Sequence, residues 1–239
     1  MAFFSFFKNK ERQLTSVKKK LIAEMQKMDM KTLLLHMSSE AHISPIIAAQ
    51  QQNGHFSSED DVSWFAMQRS FELSSPKHKN ELLALLHDEV YARQLPDIYR
   101  CLGSICGNTN DAELCSFLID VVDNSNDEHV IVSILSRLGK VDKGSDMNIA
   151  PIKRYLKEGT AAIMRAAVKA LAHTNDPEVE ELLIEEFTYA DSSLKSEICR
   201  TLLSVGTIKS VSMLQQAYKK ARDGNLRMHI SEPLKRIEG

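Results

Sequence analysis

A chain of 239 residues has room for one large domain or for several small stacked units. Its 43% hydrophobic and 26% charged residues suit a globular protein, while 6% aromatics, nine Gly and six Pro are few for a loop-rich β protein. No run approaches the ~18 apolar residues of a membrane span, and the net charge of −2 excludes a strongly basic nucleic-acid binder.

The charge is unevenly placed. Residues 1–31 carry eight Lys/Arg against three Asp/Glu, so a +5 segment precedes a remainder of −7. The start, "MAFFSFFKNKERQ", is not expected to be a secretory leader, because its apolar patch precedes the positive charges and is shorter than the ~7–15 residues such leaders need. From Asn9 to Met28 the row Leu14, Val17, Leu21, Met25 predicts a helix, and "MKTLLLHM" predicts a second, short one. In "SPIIAAQQQ", Pro45 suits a first helical turn. The segment "QNGHFSSEDD" then reads as a break, with Ser58 and Asp61 resembling a capping box. The expected organisation is a basic helical extension or cap over 1–57 and a helical body over 58–239.

Within that body, helices are expected near 60–73, 76–92 and 96–106, and then as alternating members of pairs. First helices fall near 111–122, 147–157, 177–188 and 208–222. Second helices fall near 128–138, 161–172, 192–205 and 225–237. Gly107, Gly139, Gly159, Gly206 and Gly224 follow apolar stretches, where a left-handed helix end suits glycine. Asp111, Asp176, Asp191 and Asn225 are the expected helix-starting caps, with Pro177 in a first turn. No stretch alternates strictly enough to call for a strand.

The segment "TNDPEVEELLIEEF", beginning at Thr174, echoes "TNDAELCSFLIDVV", beginning at Thr109, at a shift of 65. Half of that shift is a common length for two helices and their turns, and Cys106, Leu138, Leu171 and Leu203 follow it at gaps of 32, 33 and 32. The stretches "IMRAAVKALAHTNDPEVEELLIEEF" and "LKSEICRTLLSVGTIKSVSMLQQA" resemble HEAT-like repeats, particularly the short type of phycobilisome lyases. The likeness rests on Met164-Arg165, Ala166-Ala167, Ala170-Leu171-Ala172 and Asp176-Pro177, with Leu194-Lys195 and Leu226-Arg227 as weaker copies. It covers roughly 60–239 and implies an all-α solenoid of stacked antiparallel helix pairs, a HEAT-like superhelix. The repeat around 139–157 departs from the pattern by an extra turn, "KVDKGSDMN".

Signals for chemistry are sparse. Eight histidines include no HExxH and no paired His-Glu, so neither metal ligands nor a cofactor are expected. Cys101, Cys106, Cys115 and Cys199 show no ligand spacing and are expected as reduced core residues of a cytoplasmic protein. No nucleophile elbow or phosphate loop occurs, so no catalytic residues are assigned and the chain is expected not to be an enzyme. A lyase-like or accessory role is the third reading. Nucleic acid is disfavoured by the acidic body, in which Lys153, Arg154 and Lys157 form only a small basic cluster.

The leading expectation is a non-enzymatic adaptor that holds protein partners on the concave face. Second helices usually line that face, and the phase of Arg165 and Lys169 carries to Arg100, Ser104, Val132, Ser136, Glu197 and Thr201. The acidic row Glu178, Glu181, Glu185 is expected on a solvated face, or against the basic arm. The alternative is a scaffold held peripherally at a membrane by Phe3, Phe4, Phe6 and Phe7 with Lys8 and Lys10. The same phenylalanines could instead cap the end of the solenoid.

Overall fold

The computed structural model describes residues 19, 23, 26–38 and 62–239. Among them the chain is all-α, with twelve α-helices, one 3₁₀ helix and no strand beyond a single parallel bridge, Lys143 to Thr174. The Phe3–Lys10 segment, Pro45 and the Ser58/Asp61 box lie outside the described residues. So does most of the 9–28 helix, of which Lys19, Ala23, Gln26 and Lys27 are helical. The described residues form two compact units that divide between Cys101 and Leu102.

In the first unit, α1 (Met30–Ser38) begins where Asp29 accepts a hydrogen bond from the Thr32 amide at 2.8 Å. It buries Met30, Leu33, Leu34 and Met37, one face at helical spacing, against α2 (Val62–Phe71), α3 (Pro76–Leu85) and the 3₁₀ turn Glu89–Gln94. The single helix expected over 76–92 is broken because the Asp88 side chain accepts from the Val90 amide and starts a new turn. Phe65 is buried, whereas Trp64 is partly exposed and stacks edge-on against it at 5.0 Å. Helix α4 (Leu95–Thr109) then runs from the first unit into the second.

The second unit continues with α5 (Ala112–Asn124), α6 (Glu128–Leu138), α7 (Ala150–Glu158) and α8 (Ala161–Ala170). It ends with α9 (Pro177–Tyr189), α10 (Ser192–Val205), α11 (Ile208–Lys220) and α12 (Gly224–Glu238). Each odd-numbered helix packs on the even-numbered one after it. The even set also packs in sequence, α6 on α8 on α10 on α12, and the odd set likewise, α5 on α7 and α9 on α11. Apolar rows such as Leu114, Leu118 and Val122, or Val179 and Leu183, fill the space between them, while Leu182 stays half-buried.

Helix starts follow the aspartates. Asp111, Asp176 and Asp191 accept from the amides of Leu114, Glu178 and Leu194. Asn225 does not cap α12. Asp223 does, accepting from the Asn225 amide at 2.9 Å. Helix α7 starts at Ala150, three residues later than expected, because the extra turn occupies 139–149.

The helix ends differ from expectation. Gly139, Gly159 and Gly206 all have negative φ, and among the described residues the positive-φ non-glycine residues are Asn110 and His173. The glycines act through their missing side chain. A Cβ at Gly139 would meet the Lys169 carbonyl oxygen at 2.6 Å, and one at Gly103 would meet Cβ of Arg137 at 2.7 Å. These are close approaches between successive even helices.

The extra turn holds the least expected residue of the interior. Lys143 is 1% exposed, and its ammonium donates to the carbonyls of Leu138, Val141 and Ala172 at 2.7, 2.8 and 2.9 Å. Its own amide donates to His173 O at 2.8 Å. The last carbonyls of α6 and the turn after α8 thus share one cation, which also suits the negative ends of both helix dipoles. Asn110 completes the tie, accepting from the Asp142 amide at 2.8 Å.

A second buried charge works at a helix start. Glu180 of α9 is 3% exposed and accepts from the Thr207 amide (2.6 Å), the Thr207 hydroxyl (2.7 Å) and the Ser210 hydroxyl (2.5 Å). Burial pushes its carboxyl up, but the Ser210 and Thr207 donors outweigh that and hold it below the ordinary carboxylate value.

Replacing Lys143 with Met leaves three buried carbonyls without donors and should cost about 3 kcal/mol in urea unfolding at pH 7. Burial lowers the Lys143 pKa from 10.5 to about 8, against the opposing pull of Cys115, Cys106 and Asp142. Between those values the unfolded chain binds more protons, so this residue's contribution rises with pH. The deficit of Lys143→Met should therefore widen from pH 7.5 to pH 10; a deficit that shrinks over that window contradicts the assignment. Glu180 carries the same sign in a lower pH window, because its folded pKa is also lowered. Its stabilisation is full above the ordinary carboxylate range and is lost as pH falls through its lowered folded value. Glu180→Gln should cost about 2 kcal/mol at pH 7, with the difference from wild type closing on acidification.

Candidate partner-binding groove

On the even helices of the second unit, the expected strip separates into exposed and buried members. Arg165 and Lys169 are exposed on α8, and Val132, Ser136 and Glu197 are half-buried on α6 and α10. Ser104 and Thr201 are buried, at 4% and 2% exposure, and are removed from the surface strip. The Thr201 hydroxyl donates to Val168 O at 2.9 Å, so this small polar side chain joins α10 to α8. In the first unit, Arg100 is half-buried and pairs with Asp97 at 3.5 Å. Burial raises the Asp97 carboxyl above its ordinary value, and Arg100 opposes the shift.

Lys169, Glu197 and Thr201 meet in a groove of about 360 Å³ near the C-terminal ends of α8 and α10, with Gly139, His173, Arg200 and Ser204 on its walls. Local geometry fixes these groups. Gly139 lets α6 approach the Lys169 backbone. His173 turns the chain at φ 56°, with its amide held by Ser204 Oγ at 3.1 Å. Arg200 pairs with Glu197 at 2.9 Å, one turn back on α10, and reaches Nε2 of the buried His229 at 3.2 Å.

The groove is cationic. Partial loss of water lowers the Lys169 pKa, Arg137, Lys140 and Arg200 lower it further, and Glu197 alone pulls the other way. The lining itself carries Lys169 and Arg200 with Glu197, which Arg200 pairs, while Asp142 lies 3.9 Å from His173 at its edge. Arg137, Lys169 and Arg200 are spaced 32 and 31 residues apart, in step with the repeat. That signal lies in the sequence. Carrying the Arg165/Lys169 phase by 33 residues lands on Val132 and Ser136, one position short of Arg137, and one position turns a helix by about 100°.

Charges on the odd helices are engaged with one another. Lys153 of α7 pairs with Asp176 at 2.9 Å and with Glu178, and Lys157 lies 4.0 Å from Glu185. Lys209 of α11 pairs with Glu181 at 2.7 Å, and Arg154 with Asp123 at 3.1 Å. The acidic row of α9 thus meets lysines of neighbouring helices. Hydrogen bonds from Lys153 hold the Asp176 carboxyl below its ordinary value. The same pairs leave Lys153, Arg154 and Lys157 poorly placed to receive a phosphate backbone.

The four cysteines are free and buried, and burial pushes the Cys199 thiol up to about 12. Among the described residues no group of His, Cys, Asp and Glu is arranged to hold a metal ion, and no helix is long and apolar enough to cross a membrane. No family model matches the chain, and no curated protein matches its sequence closely enough to count as a relative.

The charges facing Lys169 make a signed prediction for its titration, followed by NMR of the reductively methylated amine. Glu197→Gln should lower the Lys169 pKa and Lys140→Gln should raise it. Shifts of the same sign in both variants would place one of these groups elsewhere.

Proposed function

We propose that the chain is a HEAT-like solenoid acting as a non-enzymatic protein-interaction module, with the Lys169 groove receiving an acidic segment of a partner protein. Lys169 and Arg200 on the lining of one groove where successive even helices converge, with Arg137 and Lys140 also acting on Lys169, are the observation that carries this reading. The helix pairing of the second unit supports the solenoid, because its even helices pack in sequence and each odd helix packs on the even one after it. Arg137, Lys140, Lys169 and Arg200 favour a partner bearing several carboxylates, and electrostatic complementarity of this kind governs encounter and register more than raw affinity. The groove's polar groups contact one another, Glu197 with Arg200 and Arg200 with His229, an arrangement suited to holding charge. The chain's acidic groups outside the groove steer a polyanionic nucleic acid away, while a short acidic peptide reaches Lys169 and Arg200 against fewer repulsions.

Fluorescence anisotropy of a labelled Glu/Asp/Gly peptide without apolar residues tests this on the full chain. Saturable binding should weaken about tenfold in Lys169→Glu/Arg200→Glu and fall with added salt. Binding unchanged by that double substitution sinks the reading, as does tighter binding of a single-stranded oligonucleotide of the same charge.

A further inference from the structure

A larger groove, of about 880 Å³, opens at the other end of these helices, where α9 turns into α10 and α11 turns into α12. Its floor mixes apolar and polar groups. Ile184 from α9 and Met213 and Ala217 from α11 are half-buried there, Phe187 and Leu226 are buried, and Ser212 and Gln216 add polar groups. Its rim is basic, with Lys195, Lys209, Lys220 and Arg222 around a single acid, Asp223.

The pairing of these groups separates structural charges from available ones. Asp223 is engaged as the cap of α12, accepting from the Asn225 amide at 2.9 Å. Lys209 is held by Glu181 at 2.7 Å. Lys195 lies over the Phe187 ring, 5.6 Å from its centroid, which draws a cation to the edge of the floor. Lys195, Lys220 and Arg222 have no carboxylate partner among the described residues. Exposed Lys220 and Arg222 and half-buried Lys195, beside half-buried Ile184, Met213 and Ala217, match an occupant with acidic and apolar groups in alternation.

We propose that this second groove docks an acidic amphipathic segment of a partner protein, its apolar side chains on Ile184, Met213 and Ala217 and its carboxylates on Lys195, Lys220 and Arg222. The inference goes beyond the Lys169 reading, since it concerns different helices and a ligand with an apolar face. Charge and shape favour a peptide over the other anionic classes. A single-headed fatty acid would neutralise one of three separated cations. A nucleic acid would leave the floor's apolar side chains uncovered. A helical segment with apolar residues at i, i+3 and i+4 presents one strip to the floor and carboxylates on both flanks.

The test uses the full chain and a fluorescein-labelled peptide of about fourteen residues, with Leu and Phe at i, i+3, i+4 spacing and Glu elsewhere. Anisotropy should report saturable binding that weakens about tenfold in Lys220→Glu/Arg222→Glu. Both residues are exposed, so a circular-dichroism melt should match wild type. A companion peptide with Ser in place of Leu and Phe should also lose about tenfold, whereas Lys169→Glu/Arg200→Glu should leave the amphipathic peptide's affinity unchanged. Equal binding of the Ser peptide would reduce the site to charge attraction and overturn the proposal. Loss in the Lys169/Arg200 variant with retention in the Lys220/Arg222 variant would also overturn it, while sustaining the first groove. Absence of saturable binding, or displacement of the peptide by a stoichiometric amount of oleate, would count against a peptide occupant.

Discussion

Helices brought close together leave their last carbonyls facing protein instead of water, and satisfying those carbonyls is the constraint on which this arrangement rests. At the junction of α6 and α8, Lys143 meets it with one ammonium on three carbonyls. Each isolated carbonyl would cost about 1–3 kcal/mol, enough to outweigh the penalty of burying a charge that is fully hydrogen-bonded. The cation also draws the 139–149 turn inward, so that Asp142 reaches Asn110 on one side while the Lys143 amide reaches His173 on the other. Glu180 is the mirror case. An anion buried at a helix start supplies acceptors where Lys143 supplies donors, and both follow from the same orphan backbone groups.

These buried charges sit within a wider sorting of charge. On the odd helices, acids and bases alternate between neighbours and pair, as with Glu178 and Lys153 or Glu181 and Lys209. Exposed pairs of this kind contribute little stability individually, roughly 0–1 kcal/mol. Their larger consequence is that they leave that face with few unmatched charges. On the even helices Arg137, Lys169 and Arg200 recur at spacings of 32 and 31 residues, and Arg200 pairs with Glu197. A chain with a net charge of −2 therefore carries a locally cationic groove.

Much of the helical plan was legible in the sequence, because capping and periodicity are local. Asp127–Leu138 and Asp191–Val205 show how a capping aspartate, an apolar row and a stop suffice to bound a helix. Glycine misled for a physical reason. The sequence marks where a side chain is missing, and both a left-handed turn and a tight helix crossing need that; only the partner helix distinguishes them, and at Gly139 the partner is Lys169. Lys143 was illegible because a lysine between Asp142 and Gly144 has every local mark of an exposed loop. The strip was half legible. Its helices and side were readable, but the phase between repeats depends on turn lengths that differ by a residue or two, which exchanged Arg137 for Ser136 and placed Thr201 inside.

The repeat itself explains where the distinctive chemistry lies. Residues shared between the Thr109 and Thr174 copies, such as Asp111 with Asp176 and Leu118 with Leu183, are caps and core. Distinctive residues occur where the copies diverge. The extra turn supplies Lys143 and Asp142, and the loop after α8 reaches its left-handed residue two positions earlier relative to the cap than the loop after α4. That offset sets His173 beside Ser204 and opens the wall of the Lys169 groove. A strictly regular repeat would place equivalent groups at every step and so recognise a periodic ligand. Here the irregular step gives the turns after α6 and α8 their own contacts, Lys143 with Ala172 and His173 with Ser204.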